Sequence, residues 1–222
     1  HVRCGGAAAS SVCTAPTAAL PPAPTLSAPA VTVVGREAGN KRTCVTTERH
    51  KRDPPPPPII VSAHSLMPRI HEGHMVLYRA VIGHSANELP LWYLEAIGLY
   101  VSALNNCTYC INHHSHDGGV AFDGAANQLD DREWDEIAAA LLSDHVDEVF
   151  DGKWLAMLDY ARLLTLDPAA LTARTNQDLR DAGANDGEIL EANQVAAYFC
   201  YANRTILGLG VTLDGEVMAT AR

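Results

Sequence analysis

From Ile59 onward, apolar residues recur at three- and four-residue intervals, the period of a helix with one buried face. The pattern is clear over residues 75–81, 89–104, 134–142, 154–166 and 189–207, so five or more helices are predicted. The punctuation between these stretches agrees. Asp130 with Glu133 makes a capping-box-like start, Pro168 stops the helix ending near Leu166, and Gly183 and Gly208 suit helix C-termini. No βαβ alternation, hairpin signal or clear internal repeat competes with this reading. The sequence therefore predicts a single all-α domain over residues 59–222.

Residues 1–58 lack that period. Ten of the 13 prolines fall there, the segment ends in a proline run over 54–58, and the rest is rich in Ala, Ser and Thr. Such a stretch favours polyproline II and reads as disordered. Charge changes sign at the same place, with seven basic and three acidic residues up to Pro58 against nine basic and 23 acidic beyond it. The chain opens at His1 and has no methionine before Met67, which fits a fragment or an extended reading frame as well as a functional tail.

Composition narrows the function classes. At 222 residues and 47% hydrophobic, the chain is long enough to bury a sizeable core. The formal net charge of -10 opposes general binding to nucleic acid or to an anionic membrane surface, both of which need a positive footprint. No apolar run approaches the roughly 20 residues of a bilayer crossing, and the N-terminus lacks the continuous apolar stretch of a secretory signal. A soluble, cytoplasmic protein is expected.

Of six cysteines, Cys4, Cys13 and Cys44 lie in the Pro-rich segment and Cys107, Cys110 and Cys200 in the helical region. The closely spaced pair reads Cys107-Thr108-Tyr109-Cys110, which in a cytosolic protein points to redox chemistry or metal binding more than to structural stapling. Ile111 follows the second cysteine where a c-type haem site needs histidine. A structural zinc site usually needs four ligands, and no second Cys-x-x-Cys exists, although His113, His114 or His116 remain available to zinc. If Cys107 enters a helix, Cys110 and His114 share its face, His113 lies to the side and His116 points away. A helix N-terminus stabilises thiolate, and a base one turn from Cys110 can take its proton, so this geometry selects His114 as a catalytic partner. The alternative is a solvated histidine cluster.

Glu95 is the only charged residue over 89–104, a run containing Leu91, Trp92, Leu94, Ile97, Leu99 and Val101. A carboxylate there is costly if buried without a partner, and His114 or a cysteine thiol is the natural one. Otherwise it belongs to an exposed polar stripe with Glu88 and Ser102.

Glu95, eleven intervening residues, Cys107-Thr108-Tyr109-Cys110, three intervening residues and His114 together match the E-x11-C-x2-C-x3-H signature of the AhpD-like alkylhydroperoxidases, within the carboxymuconolactone decarboxylase superfamily. The text before the cysteines, Ser102 to Asn106, and that near the end, Ala197-Tyr198-Phe199, Asn203-Arg204 and Leu207-Gly208-Leu209-Gly210-Val211, resembles the peroxidase-related subgroup. The resemblance covers about residues 59–215. It implies a helical subunit that assembles into homotrimers or homohexamers and reduces a hydroperoxide substrate, with a thiol or dithiol protein as reductant and no cofactor. It further implies that Cys110 becomes the sulfenic acid, that Cys107 resolves it to a disulfide, and that Glu95 with His114 forms a proton relay. The residues alone divide on the first point: the helix dipole favours Cys107 as the lower-pKa thiol, and the step to His114 favours Cys110. One departure stands out, since Tyr109 occupies the place of a histidine found in the best-known members.

Among other positions, Asn203-Arg204 can line the active-site cavity or bind a carboxylate across a subunit interface, with a structural ion pair at least an equal expectation for Arg204. Cys200 and the three tryptophans, Trp92, Trp134 and Trp154, are expected in the core. Two function classes remain: a thiol-dependent peroxidase, and a disulfide carrier or redox sensor on the same scaffold. A lactone decarboxylase-like activity is disfavoured because such members typically lack the cysteine pair.

Overall fold

A computed structural model describes residues 63, 64, 66–125, 129 and 132–213. The Pro-rich segment 1–58 expected to be disordered, and Asp130 of the expected capping box, lie outside the described residues. Among the described residues the chain forms seven α-helices and no strand: α1 (Pro68–Val81), α2 (Leu91–Leu104), α3 (Thr108–Asp123), α4 (Trp134–Ser143), α5 (Gly152–Leu166), α6 (Ala173–Asp181) and α7 (Asp186–Leu209). Short 3-10 turns at Val146–Glu148 and Pro168–Ala170 join α4 to α5 and α5 to α6. The all-α class is as the periodicity implies.

Helix α2 is apolar around nearly its whole circumference, and every residue over 92–102 is buried. A helix of that kind is stable only inside a shell of others, and here α3, α4, α5 and α7 surround it. Helix α1 packs on α7 at the outside. Trp92 and Trp134 are core residues, as expected. Trp154 is only half-buried, packed against the edge of the core with the Lys153 ammonium 5.0 Å from its indole centroid.

Two glycines let helices approach closely. A Cβ on Gly98 of α2 would lie 2.4 Å from a ring carbon of Phe199 on α7, and one on Gly118 of α3 would lie 2.2 Å from the Trp134 indole of α4. Trp134 also donates its ring N–H to the Ser115 carbonyl at 2.8 Å, fixing α4 against α3.

The helix ends follow local chemistry. Asn185 accepts from the backbone N–H groups of Gly187 and Glu188, while the Glu188 carboxylate accepts from the Asn185 N–H, a reciprocal box that starts α7. Gly183 follows α6 in a left-handed conformation (φ 99°), and Pro168 lies just beyond the end of α5, both as read from the sequence. Gly208 does not end its helix. α7 continues to Leu209 and stops at Gly210 (φ 63°), the first glycine there to take the left-handed conformation that closes the last turn. Glu133 is the N-cap of α4 but makes no side-chain cap.

The corner between α2 and α3 is short. Asn105 caps α2, Asn106 takes a left-handed conformation (φ 55°) that asparagine tolerates, and Cys107 is already the N-cap of α3. The Cys107 N–H donates back to the Ser102 carbonyl at 2.9 Å, locking the corner. No helix among the described residues is long and apolar enough to cross a membrane.

Candidate active site

The α2–α3 corner delivers Cys107 to the start of a helix, and three residues later, on the same face, comes Cys110. Their sulfurs are 3.0 Å apart and both residues are buried. Tyr109 and Ile206 complete an apolar cluster around them, with Val211 and Leu213 packed against it from the chain beyond α7.

One turn further along α3, His114 faces inward and its Nδ1 lies 2.7 Å from Oε2 of Glu95 on α2. The two residues are 8% and 3% exposed, so the pair is shielded from water, where such contacts are strongest. Glu95 is therefore not part of an exposed polar stripe. Ser102 is likewise buried and donates to the Gly98 carbonyl at 2.7 Å, whereas Glu88 is exposed. The Phe199 ring meets the His114 imidazole edge to face, with centroids 4.4 Å apart, and holds it against Glu95. All four motif residues, Glu95, Cys107, Cys110 and His114, thus occupy the α2–α3 interface beneath α7.

The two thiols do not ionise alike. Cys107 is pulled down to about 7, first by its hydrogen bond with the Cys110 thiol and then, against the effect of burial, by the Cys110 backbone N–H, the His114 imidazole and the Asn203 amide. Cys110 moves up, because the same contact with Cys107, burial and the charge on Cys107 all disfavour its thiolate, and Asn203 alone opposes them. The pair loses one proton readily and holds the second tightly. Such a dithiol carries a single shared charge near neutral pH.

Asn203 is fully buried, accepts from the Asn105 side-chain amide at 3.0 Å and donates to Ser102 Oγ at 3.1 Å. Its neighbour Arg204 is exposed, donates to the Cys200 carbonyl at 2.8 Å and forms no ion pair among the described residues. The two halves of the Asn203-Arg204 pair thus have different fates, one inside the site and one out of it. Cys200 is half-buried beside Thr165, with its sulfur 3.6 Å from the threonine hydroxyl. His113 is half-buried and stacks on Tyr109 with ring centroids 4.5 Å apart, and His116 is exposed. Among the described residues, no three or more His, Cys, Asp or Glu side chains are grouped so as to hold a metal ion.

No family model and no curated protein matches the sequence of this chain. Solved structures do match its fold. An uncharacterized peroxidase-related protein from Silicibacter sp. TM1040 superposes with a TM-score of 0.58 at 20% identity, over 69% of this chain and 74% of that one. An uncharacterized peroxidase-related protein from Ralstonia eutropha JMP134, described as an alkylhydroperoxidase AhpD core, gives 0.57 at 18% identity over 67% and 73%. A protein of unknown function from Agrobacterium tumefaciens, whose name connects it with AhpD antioxidant defence, gives 0.52 at 18% identity over 67% and 93%. The fold of this chain is the AhpD-like helical fold.

Proposed function

We propose that this AhpD-like chain is a thiol-dependent peroxidase that reduces hydroperoxides through Cys107 and Cys110, with Glu95 and His114 moving the protons. The observation that carries the reading is the buried constellation itself: two sulfurs at 3.0 Å on the first turn of α3, and one turn away a carboxylate–imidazole pair at 2.7 Å bridging α3 to α2. A dithiol needs only proximity and an oxidant to form a disulfide. A dithiol beside a shielded proton donor is suited to a reaction whose leaving group must be protonated.

The ionisation order supports Cys107 as the attacking sulfur, the reverse of the assignment that the sequence resemblance implies. The Cys107 thiolate attacks the terminal peroxide oxygen, the O–O bond breaks, and a sulfenic acid and an alkoxide result. His114, held by Glu95, supplies the proton that turns the alkoxide into an alcohol. Cys110 then loses its proton to the relay and attacks the sulfenic sulfur, expelling water and leaving a Cys107–Cys110 disulfide. An external thiol or dithiol reductant returns the pair to the starting state. The subunit assembles as a homotrimer or homohexamer, and exposed Ile70 and Leu77 on α1 and Leu190 and Leu207 on α7 supply apolar surface for it.

The test is steady-state consumption of an organic hydroperoxide with dithiothreitol as reductant. Wild type turns over, and Cys107→Ser and Cys110→Ser do not. A wild-type protein that consumes no peroxide, while its disulfide exchanges readily with other thiols, would replace this reading with the carrier.

A further inference from the structure

The sequence signature contains four residues, yet a fifth side chain is built into the same buried site with an orientation that leaves it no choice of role. Asn203 lies on the face of α7 that turns toward the thiols: Phe199, one turn earlier, packs on His114, and Ile206, one turn later, packs on the two cysteines. Its amide has an oxygen end and a nitrogen end, and four hydrogen bonds decide which is which. The Ser102 hydroxyl spends its proton on the Gly98 carbonyl at 2.7 Å, so toward Asn203 it can only accept. The nitrogen end of Asn203 therefore faces Ser102, at 3.1 Å. The oxygen end is held at 3.0 Å by the side-chain NH2 of Asn105, which a second hydrogen bond, to the Val101 carbonyl at 3.0 Å, fixes as the donating end. That leaves one N–H of Asn203 unspent, on the face of α7 whose Ile206 packs on the two cysteines.

We propose that Asn203 is the fixed hydrogen-bond donor that holds the negative charge of the Cys107–Cys110 pair. The inference rests on the dithiol reading above, but not on peroxide being the oxidant. An amide locked by Ser102 and Asn105 cannot rotate to present its oxygen, which would repel a thiolate. It is already in place when the charge forms, so no reorganisation is needed at that moment. Both sulfurs feel it, and in both its effect is to favour the thiolate. The Asn105 contact has a further consequence: the residue that caps α2 at the corner also aims the donor at the sulfur that begins α3.

The readout is the thiol titration of the full-length reduced protein, followed by thiolate absorbance near 240 nm across pH, with a Cys107→Ser/Cys110→Ser double variant subtracted as background. A hydrogen bond to a charged group is strong enough that its loss in Asn203→Ala raises the first dithiol pKa by about 1–2 units, a ten- to hundredfold loss of thiolate below that pKa. Ser102→Ala, which frees the amide to turn while leaving it present, gives a smaller rise in the same direction. Cys200→Ser, measured against a background variant that also carries it, leaves the first dithiol pKa unchanged. A folded Asn203→Ala protein that titrates like wild type would show that the amide is only packing, and overturns the proposal. Should that variant fail to fold, an unshifted Ser102→Ala titration overturns it equally. If the shifts appear in a protein that consumes no peroxide, the donor role stands and the peroxidase reading falls.

Discussion

Gly98→Ala tests whether the relay depends on how closely α2 and α7 approach. The added methyl carbon would lie 2.4, 2.6 and 2.9 Å from three ring carbons of Phe199, well inside van der Waals contact and along one edge of a stiff ring. The ring is 1% exposed and has little room to retreat, since His114 and the neighbouring Tyr198 both pack against it. Overpacking of a core costs about 1–3 kcal/mol, and overlaps this deep belong at the upper end. Alanine returns about 1 kcal/mol through its better helix propensity, leaving a net loss of about 2 kcal/mol. In a chain of this size each kcal/mol moves Tm by about 2–4 °C, so calorimetry should show a fall of about 4–8 °C. The ring's escape route leads into the imidazole, so turnover measured well below Tm should drop by about tenfold or more, toward the roughly hundredfold that a 1 Å misplacement can cost. Adding Phe199→Leu removes the clashing ring carbons and should recover most of the Tm but not the turnover, because His114 has then lost its edge contact. A Gly98→Ala protein with Tm and turnover at or above the wild-type values would refute the argument.

Four further outcomes are expected. In Cys110→Ser, peroxide should leave a persistent sulfenic acid on Cys107 that a dimedone-type reagent traps and mass spectrometry locates; an adduct found only on Cys110, in Cys107→Ser, would restore the assignment implied by resemblance. Because the Cys107 thiol is pulled down to about 7, its alkylation by iodoacetamide should rise through pH 7 and level off above it, and a midpoint at the ordinary cysteine value of about 8.5 would contradict the ionisation order. Glu95→Gln should keep the fold and slow turnover by about 10²- to 10⁴-fold, whereas His114→Ala strands a buried carboxylate and should cost about 3–5 kcal/mol in denaturant unfolding. Equal stability of the two variants would mean the pair is not buried as described. Light scattering at micromolar concentration should give a mass of three subunits or a multiple of three, and a stable monomer would remove the assembly from the proposed function.

Which parts of the fold and the site are legible in the sequence depends on whether each signal is local. Glu95 stands out because one charge in an apolar helix demands a partner, and the residues narrow that partner to His114 or a cysteine thiol, the signature then pairing it with His114. Helix α1 is visible only over its second half in the periodicity, since its buried positions are His74 and Val81, and a histidine at a core-facing position is invisible to a hydrophobic pattern. Helix α6 escaped entirely: Leu179 is its only buried residue, and a capping box between Thr172 and Thr175 with an Arg174–Asp178 ion pair helps hold it instead. Asn203 and Arg204 could not be separated as neighbours in the text, but helical phase separates them. Residues 199, 203 and 206 follow one face, which turns Asn203 inward and leaves Arg204 about 100° away in solvent. The contact of Gly98 with Phe199 carries no sequence signal, because it joins positions a hundred residues apart.

The two-asparagine corner gives the spacing between Glu95 and Cys107 a meaning beyond pattern matching. The corner is closed by its own backbone, with the Cys107 N–H on the Ser102 carbonyl and the left-handed Asn106 just before it. An extra residue there has either to be looped out or to break that closure, and in the second case α3 starts from a different point and His114 no longer meets Glu95. The count of eleven is therefore a length gauge for the corner that brings the two halves of the motif together. A chain whose corner is lengthened without that closure would retain its helices and its cysteines and still have lost its relay.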